Sequence, residues 1–292
     1  MAPLPSLQYM EIPYLAYFNL KEEPFSTVPS PRYLFLTPVH ATALSKTEFV
    51  VETKKGLAVI FGDTGTGKSS LARLLHQKFL DRGLRSALIT NPSYPGPYSL
   101  LRTIAQEFGL PRLARSYKDL LDLFKGFLFD EAVKKKKNIV LMIDEAQTLR
   151  LPLIELLRQL INYETNQEKL LQLVLFAQEE LRGKLAHPRA RNFRSRIVMA
   201  STLDRLGSRD VAQMLDFRWR VASGGEEHPF EPAAVQAIYE YAQGTPREAN
   251  ILADNSLLLS YLRRQKRVAR DIVELAAKER RVNLEGAKEE AA

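Results

Sequence analysis

The chain has 292 residues, 45% hydrophobic and 26% charged, proportions that exclude a disordered or fibrous protein and suit one or two folded domains. It has no cysteine, which excludes disulfides, thiolate zinc sites and cysteine nucleophiles, and its four scattered histidines leave little for a metal cluster. Lys and Arg outnumber Asp and Glu by 42 to 34, and a net charge of +8 favours polyanionic partners such as nucleic acid or an acidic membrane face.

No apolar run approaches the ~18 residues of a membrane span. The opening MAPLPSLQYMEIPYL lacks the basic and then apolar order of a secretory leader, so a cytoplasmic location is expected. Residues 1–40 are rich in proline and aromatic residues and read as an ordered, irregular lead-in, because proline resists helix interiors while the aromatics need packing partners. A helix follows at Ala41–Lys55. Gly56–Gly62 is a short apolar run that suits a buried parallel strand. Thereafter helix and strand patterns alternate: helix Ser69–Arg82, strand Ser86–Thr90, helices Ser99–Gly109 and Lys118–Lys134, strand Asn138–Ile143, helix Leu153–Thr165 and strand Leu170–Phe176. Such alternation predicts an α/β fold with a parallel sheet covered by helices on both faces, here over residues 41–203. Only helices are predicted beyond Leu203: Ser208–Val221, Pro232–Gln243, Glu248–Arg264 and Ala269–Glu279. They define a small all-helical domain over 204–285, with 286–292 expected to fray.

The strongest chemical signal is Gly62-Asp63-Thr64-Gly65-Thr66-Gly67-Lys68-Ser69, which matches the P-loop pattern between a predicted strand and a predicted helix. Its glycines let successive N–H groups turn towards a phosphate, and the helix that follows points its positive end at the same anion. Lys68 can reach the β- and γ-phosphates, and the Ser69 hydroxyl can ligate Mg²⁺. Gly62 through Ser70 are the candidate ATP-binding residues of this loop. The second signal, Ile139-Val-Leu-Met-Ile-Asp144-Glu145, is an apolar strand ending in two acids. Asp144 would hold Mg²⁺ at the carboxyl end of the strand, and Glu145 would orient and polarise an attacking water.

Three weaker signals complete the set. Gln178, just past the fourth strand, is placed to contact the γ-phosphate or the lytic water. HPRARNFRSR holds four arginines, of which Arg194 or Arg196 would serve as a finger to a neighbouring subunit's nucleotide; the spacing does not choose between them. Arg247, in Gly244-Thr-Pro-Arg247, stands at a predicted helix start, where a cation opposes the dipole unless it faces an anion such as a nucleotide.

These residues together resemble an AAA+ ATPase, and more closely its ExeA/GspA branch. The resemblance is carried by YFNLKEEPFSTVPSPRYLFLTPVH, GDTGTGKSS, LMIDEAQTL with LLRQLINYETNQEKLLQLVLFAQEEL, and GTPREANIL, and runs from Tyr14 to Ala277. It implies ATP between the α/β domain and the helical lid, with the lead-in near the adenine, and rings or filaments with ATP at subunit interfaces. Gln178 would then fall at sensor 1, Arg247 at sensor 2 and Arg194/Arg196 near the finger. Secretion-type ExeA proteins continue into a transmembrane helix and a peptidoglycan-binding region, neither of which is expected here. Stand-alone proteins of this type resemble the transposition regulators MuB, IstB and TnsC, which polymerise on duplex DNA and present it to a transposase. The expected function is therefore an Mg²⁺-dependent ATPase that assembles on double-stranded DNA and regulates transposition, with an ExeA-like role in secretion or pilus assembly as the alternative. In that group DNA lies near loops that here are Asn91–Ser99, with Tyr94, and Leu110–Asp119, with Arg112, Arg115, Tyr117 and Lys118 as backbone-phosphate donors.

Overall fold

The computed structural model describes residues 12–110 and 116–289. They fall into two compact units, one of residues 29–204 and one joining residues 12–28 to the chain from Arg205 onward. The lead-in, expected as one segment, is therefore divided at Val28.

Its first part belongs to the helical unit. A one-turn helix α1 (Pro13–Tyr17) directs the Tyr14 hydroxyl onto a carboxylate oxygen of Asp254. The rings of Phe18 and Phe25 pack edge-on against Trp219 and Phe230. The buried Arg218 guanidinium donates to the carbonyls of Pro24 (2.8 Å) and Ser26 (2.7 Å). Prolines deny this stretch its own backbone ladder, so the helical unit supplies those hydrogen-bond partners instead.

The 29–204 unit is a five-stranded parallel sheet. In chain order it contains α2 (Pro38–Glu52), β1 (Leu57–Gly62), α3 (Lys68–Asp81), β2 (Arg85–Ile89), α4 (Pro97–Glu107), α5 (Tyr117–Phe129), β3 (Ile139–Ile143), α6 (Leu151–Ile161), β4 (Gln172–Ala177), α7 (Glu180–Ala186), α8 (Arg191–Arg194) and β5 (Ile197–Leu203). The strand order is β2-β3-β4-β1-β5, every pair parallel. The three central strands are buried along their whole length, hence their unbroken apolar runs. Alternate residues feed two cores. Val59, Leu141 and Leu175 face Leu100, Phe124 and Leu157, whereas Ile60, Met142 and Val174 face Val51, Leu75 and Phe79.

The structure departs from the predicted elements at several places. β5 was not foreseen, because an edge strand covered on one face only reads Ile-Val-Met-Ala-Ser-Thr-Leu, with alternate residues exposed and no apolar block. The helix predicted to Lys134 changes at Asp130 into a π-type turn that closes on Glu131, a buried acid paired with Lys135 at 2.6 Å. α6 ends at Ile161 rather than Thr165, whose hydroxyl accepts the N–H groups of Gln167 and Glu168 at 3.2 Å each and turns the chain into β4. β4 in turn starts at Gln172, not Leu170.

The helical unit comprises α1 with α9 (Ser208–Ser223), α10 (Pro232–Ala242), α11 (Pro246–Leu262) and α12 (Arg270–Glu289). α12 outruns its predicted end at Glu279 into the segment expected to fray, in keeping with the Glu-, Lys- and Ala-rich sequence there. Among the described residues no helix is long and apolar enough to cross a membrane.

Gln172 is a polar residue with no exposure in a central strand. Its Oε1 accepts the Gly56 N–H at 2.7 Å and its Nε2 donates to the Lys169 carbonyl at 3.0 Å. Gln172→Leu would strip both backbone groups of their partner. Chemical denaturation should show the α/β unit destabilised by about 1–3 kcal/mol, the usual penalty for a buried polar group left unpaired.

Candidate nucleotide site

In a parallel sheet every strand delivers its carboxyl end to the same edge. Here β1 ends in the glycine loop, β3 in Asp144 and Glu145, and β4 in Gln178. Because β4 lies between β3 and β1, Gln178 emerges between the acidic pair and the loop.

The loop is shaped as its sequence predicts. Gly65 and Gly67 adopt φ of 80° and 99°, conformations that a Cβ disfavours, and Gly67 leads directly into the 14-residue α3. Lys68 opens that helix with only 4% exposure, and its Nζ donates to the carbonyls of Gly62 and Asp63 at 2.8 Å each. Burial lowers its pKa, opposed chiefly by the negative charges of Glu145 and Asp144. The Thr66 hydroxyl donates to the Asp63 carbonyl at 2.8 Å, which tightens the turn.

Asp144 is also 4% exposed. Its backbone N–H donates to the Ile89 carbonyl at 2.8 Å, and its Oδ1 accepts the Glu145 N–H at 2.9 Å. Burial raises its pKa, while hydrogen bonds from the Ser69 hydroxyl and the Glu145 N–H work the other way.

Glu145 is half-buried and held at φ 53°, the left-handed region uncommon for a residue with a side chain. Its Oε2 accepts from Gln147 Nε2 at 2.5 Å and from Gln178 Nε2 at 3.4 Å. Gln178 also accepts the Thr64 hydroxyl at 2.9 Å, and its N–H donates to Gln147 Oε1 at 3.1 Å. One amide side chain therefore spans the glycine loop and the acidic pair. Gln147 was not singled out from the sequence. Its signal was a polar residue two positions after the acids, at the start of a one-turn helix.

The donor set fits a nucleoside triphosphate with Mg²⁺. A buried ammonium rests on carbonyls, a helix N-terminus opens at the same loop, and one hydroxyl with one carboxylate leaves the remaining coordination to phosphate and water, as that ion prefers.

The other predicted residues lie elsewhere. Arg194 is exposed at the end of α8, and Arg196 precedes β5, whose first residue pairs with Leu57 at the start of β1. Both arginines therefore lie at the edge of the sheet opposite the glycine loop. Arg196 borders a cavity of about 160 Å³ with Lys55, Lys169 and Ser195, and its Nε is buried without a hydrogen-bond partner. Arg247 is exposed in the first turn of α11, in the helical unit. Tyr94 and Tyr117 pack partly buried against the core of the α/β unit, and the Tyr117 hydroxyl points to Gln159 Oε1 at 3.4 Å. Lys118 is exposed, while Arg112 and Arg115 lie outside the described residues.

The parallel sheet, with a glycine loop of P-loop sequence leading from β1 into α3, is an α/β fold of the AAA+ kind. Residues 51–185 match the family described as AAA domain. The chain is 35% identical, over 91% of its length, to General secretion pathway protein A of Aeromonas hydrophila, and spans 48% of that protein. In fold it is similar to the ORC2 protein of Aeropyrum pernix in ADPNP–ADP complexes (TM-score 0.67, 19% identity, 89% of this chain and 72% of that one). It is equally similar to the Aeropyrum pernix ORC1 protein in complex with DNA (TM-score 0.66, 20% identity, 89% and 70%).

The raised pKa of Asp144 makes the nucleotide-free fold hold a proton more tightly than the unfolded chain, so this group's contribution to stability falls as pH rises above the ordinary carboxylate range. Asp144→Asn keeps the acceptor for the Glu145 N–H and removes the ionisation. Thermal melts of the nucleotide-free protein should show the variant more stable than wild type at pH 7, with the difference vanishing near pH 4.

Proposed function

We propose that this protein binds ATP with Mg²⁺ and hydrolyses it, and that it does so as an oligomer with nucleotide at subunit interfaces. The observation that carries the reading is the clamping of Glu145. Amides of Gln147 and Gln178 hold Oε2, while Oε1 has no protein partner among the described residues. A carboxylate fixed in this way can accept a proton from water at Oε1. Water oxygen bonds to the γ-phosphorus, the bond from that phosphorus to the bridging oxygen breaks, and ADP and phosphate leave. Lys68 and the α3 N-terminus neutralise the phosphates, and the loop N–H groups orient them. Ser69 and Asp144 would hold Mg²⁺, which when bound would supply charge at the phosphate oxygens. Gln178 touches both Thr64 and Glu145, so a change at the γ-phosphate reaches the acid through one side chain.

The place of the arginines supports self-association. Arg194 and Arg196 lie at the far edge of the sheet, beyond the reach of their own loop, so they meet a triphosphate only in a second copy.

Two partner classes have specific support. Duplex DNA is favoured by the +8 charge, by exposed Lys118, and by the fold shared with a protein solved on DNA; transposition control with a transposase is its finer form. A secretion role through a membrane partner is favoured by the 35% identity to General secretion pathway protein A. DNA-stimulated ATPase that fades steeply with salt supports the first, and stimulation by a membrane component alone supports the second.

Glu145→Gln should slow steady-state hydrolysis by about 10²-fold or more while the variant still binds ATP. Unchanged turnover would remove the water-activating role. Arg194→Ala/Arg196→Ala and Lys68→Ala variants should each be inactive alone and regain ATPase when mixed, because each restores what the other's interface lacks. Strictly additive, inactive mixtures would argue against nucleotide shared between copies.

A further inference from the structure

Beside the glycine loop lies a histidine that the reaction scheme leaves unused. His40 is 3% exposed and sits in the first turn of α2, whose N-cap Thr37 accepts the His40 N–H at 3.4 Å. The Thr37 hydroxyl also lies 2.7 Å from His40 Nδ1, and His40 Nε2 is 3.1 Å from the carbonyl oxygen of Thr66. A carbonyl only accepts, so Nε2 carries the hydrogen and donates it to the loop. The imidazole is pressed against the turn: a Cβ on Gly67 would come within 3.2 Å of Nε2 and 3.7 Å of Leu34. A helix cap needs no such arrangement. Thr37 would cap α2 equally well with many residues at position 40, and none of that explains a ring reaching 26 positions along the chain.

Peptide planarity gives the contact its consequence. The Thr66 carbonyl and the Gly67 N–H belong to one rigid plane and point in opposite directions. Holding that carbonyl towards α2 turns the Gly67 N–H away from α2. Gly67, at φ 99°, has no Cβ to restrict its backbone, so without the anchor this plane has other orientations open to it. We propose that His40 is a positioning residue for nucleotide binding, which fixes the Thr66–Gly67 peptide so that its N–H faces the phosphates before nucleotide arrives. The inference rests on the nucleotide reading above and adds to it a determinant outside the loop itself, contributed by the segment that precedes β1.

The test is equilibrium titration of the full chain with a fluorescent ADP analogue. It compares wild type, Lys68→Ala, His40→Ala, His40→Gln and His40→Asn, with thermal melts of each nucleotide-free protein. The Gln amide nitrogen reaches the place of Nε2, whereas Asn reaches only that of Nδ1. The expected result is affinity about tenfold weaker for His40→Ala and His40→Asn, and close to wild type for His40→Gln. His40→Gln and His40→Asn should melt alike. In hydrolysis the loss should fall on KM for ATP, with kcat at saturation little changed. A purely structural histidine would instead make affinity follow the melting temperature across the variants. That outcome, or Gln and Asn variants that bind equally, overturns the inference while wild-type binding and its loss in Lys68→Ala leave the nucleotide reading standing. No binding by wild type overturns both.

Discussion

An ammonium buried in a protein must be surrounded by groups that make its charge tolerable, and the α/β unit is organised around this constraint at Lys68. Carbonyls of the glycine loop solvate the Nζ directly, and Asp144 and Glu145 supply opposing charge from the neighbouring part of the sheet edge. Those acids reach the loop because β3 and β1 are parallel and separated by one strand, so their carboxyl ends share an edge. The same spacing leaves β4 to deliver a side chain between them. A hydrophobic sheet with unbroken apolar strands thus serves an electrostatic purpose: it carries three short polar segments to one place and holds them there.

Much of this was legible beforehand because the determinants are local. Gly62–Ser69 specifies its own turn through glycine, and Ile139–Ile143 announces a buried strand by having no polar residue. The four strands that lie inside the sheet or carry its apolar blocks were found within about two residues. What escaped depends on partners distant in sequence. β5 is recognisable only once β1 is beside it, since its exposed alternate residues look like a loop. The end of α6 was set by the Thr165 hydroxyl competing for backbone donors, an option that helical periodicity does not register. Gln147 and His40 are ordinary polar residues in sequence and gain meaning from hydrogen bonds to Glu145 and Thr66. Division of the lead-in at Val28 was equally invisible, because a proline-rich stretch does not declare which core will receive its aromatics.

The catalytic arrangement is also economical in charged groups. The acid at position 145 is oriented by neutral amides, not by a second ion. The arginines lie at the other edge, so under the proposed function the base and the cation at one nucleotide would come from two copies, and turnover would respond to how copies stack.

Gln172 has a bearing on how the sheet forms. Parallel strands meet only after long stretches of chain have been brought together, so they form late and are exposed to mispairing. β4 must slot between two others, and its uniform apolar character offers no preference among alignments displaced by an even number of residues. The amide at its first position breaks that degeneracy. In one alignment it satisfies the Gly56 N–H and the Lys169 carbonyl, and in any displaced one it drags an unsolvated amide into oil. A single glutamine at the foot of the strand thus favours one alignment of β4 over displaced ones.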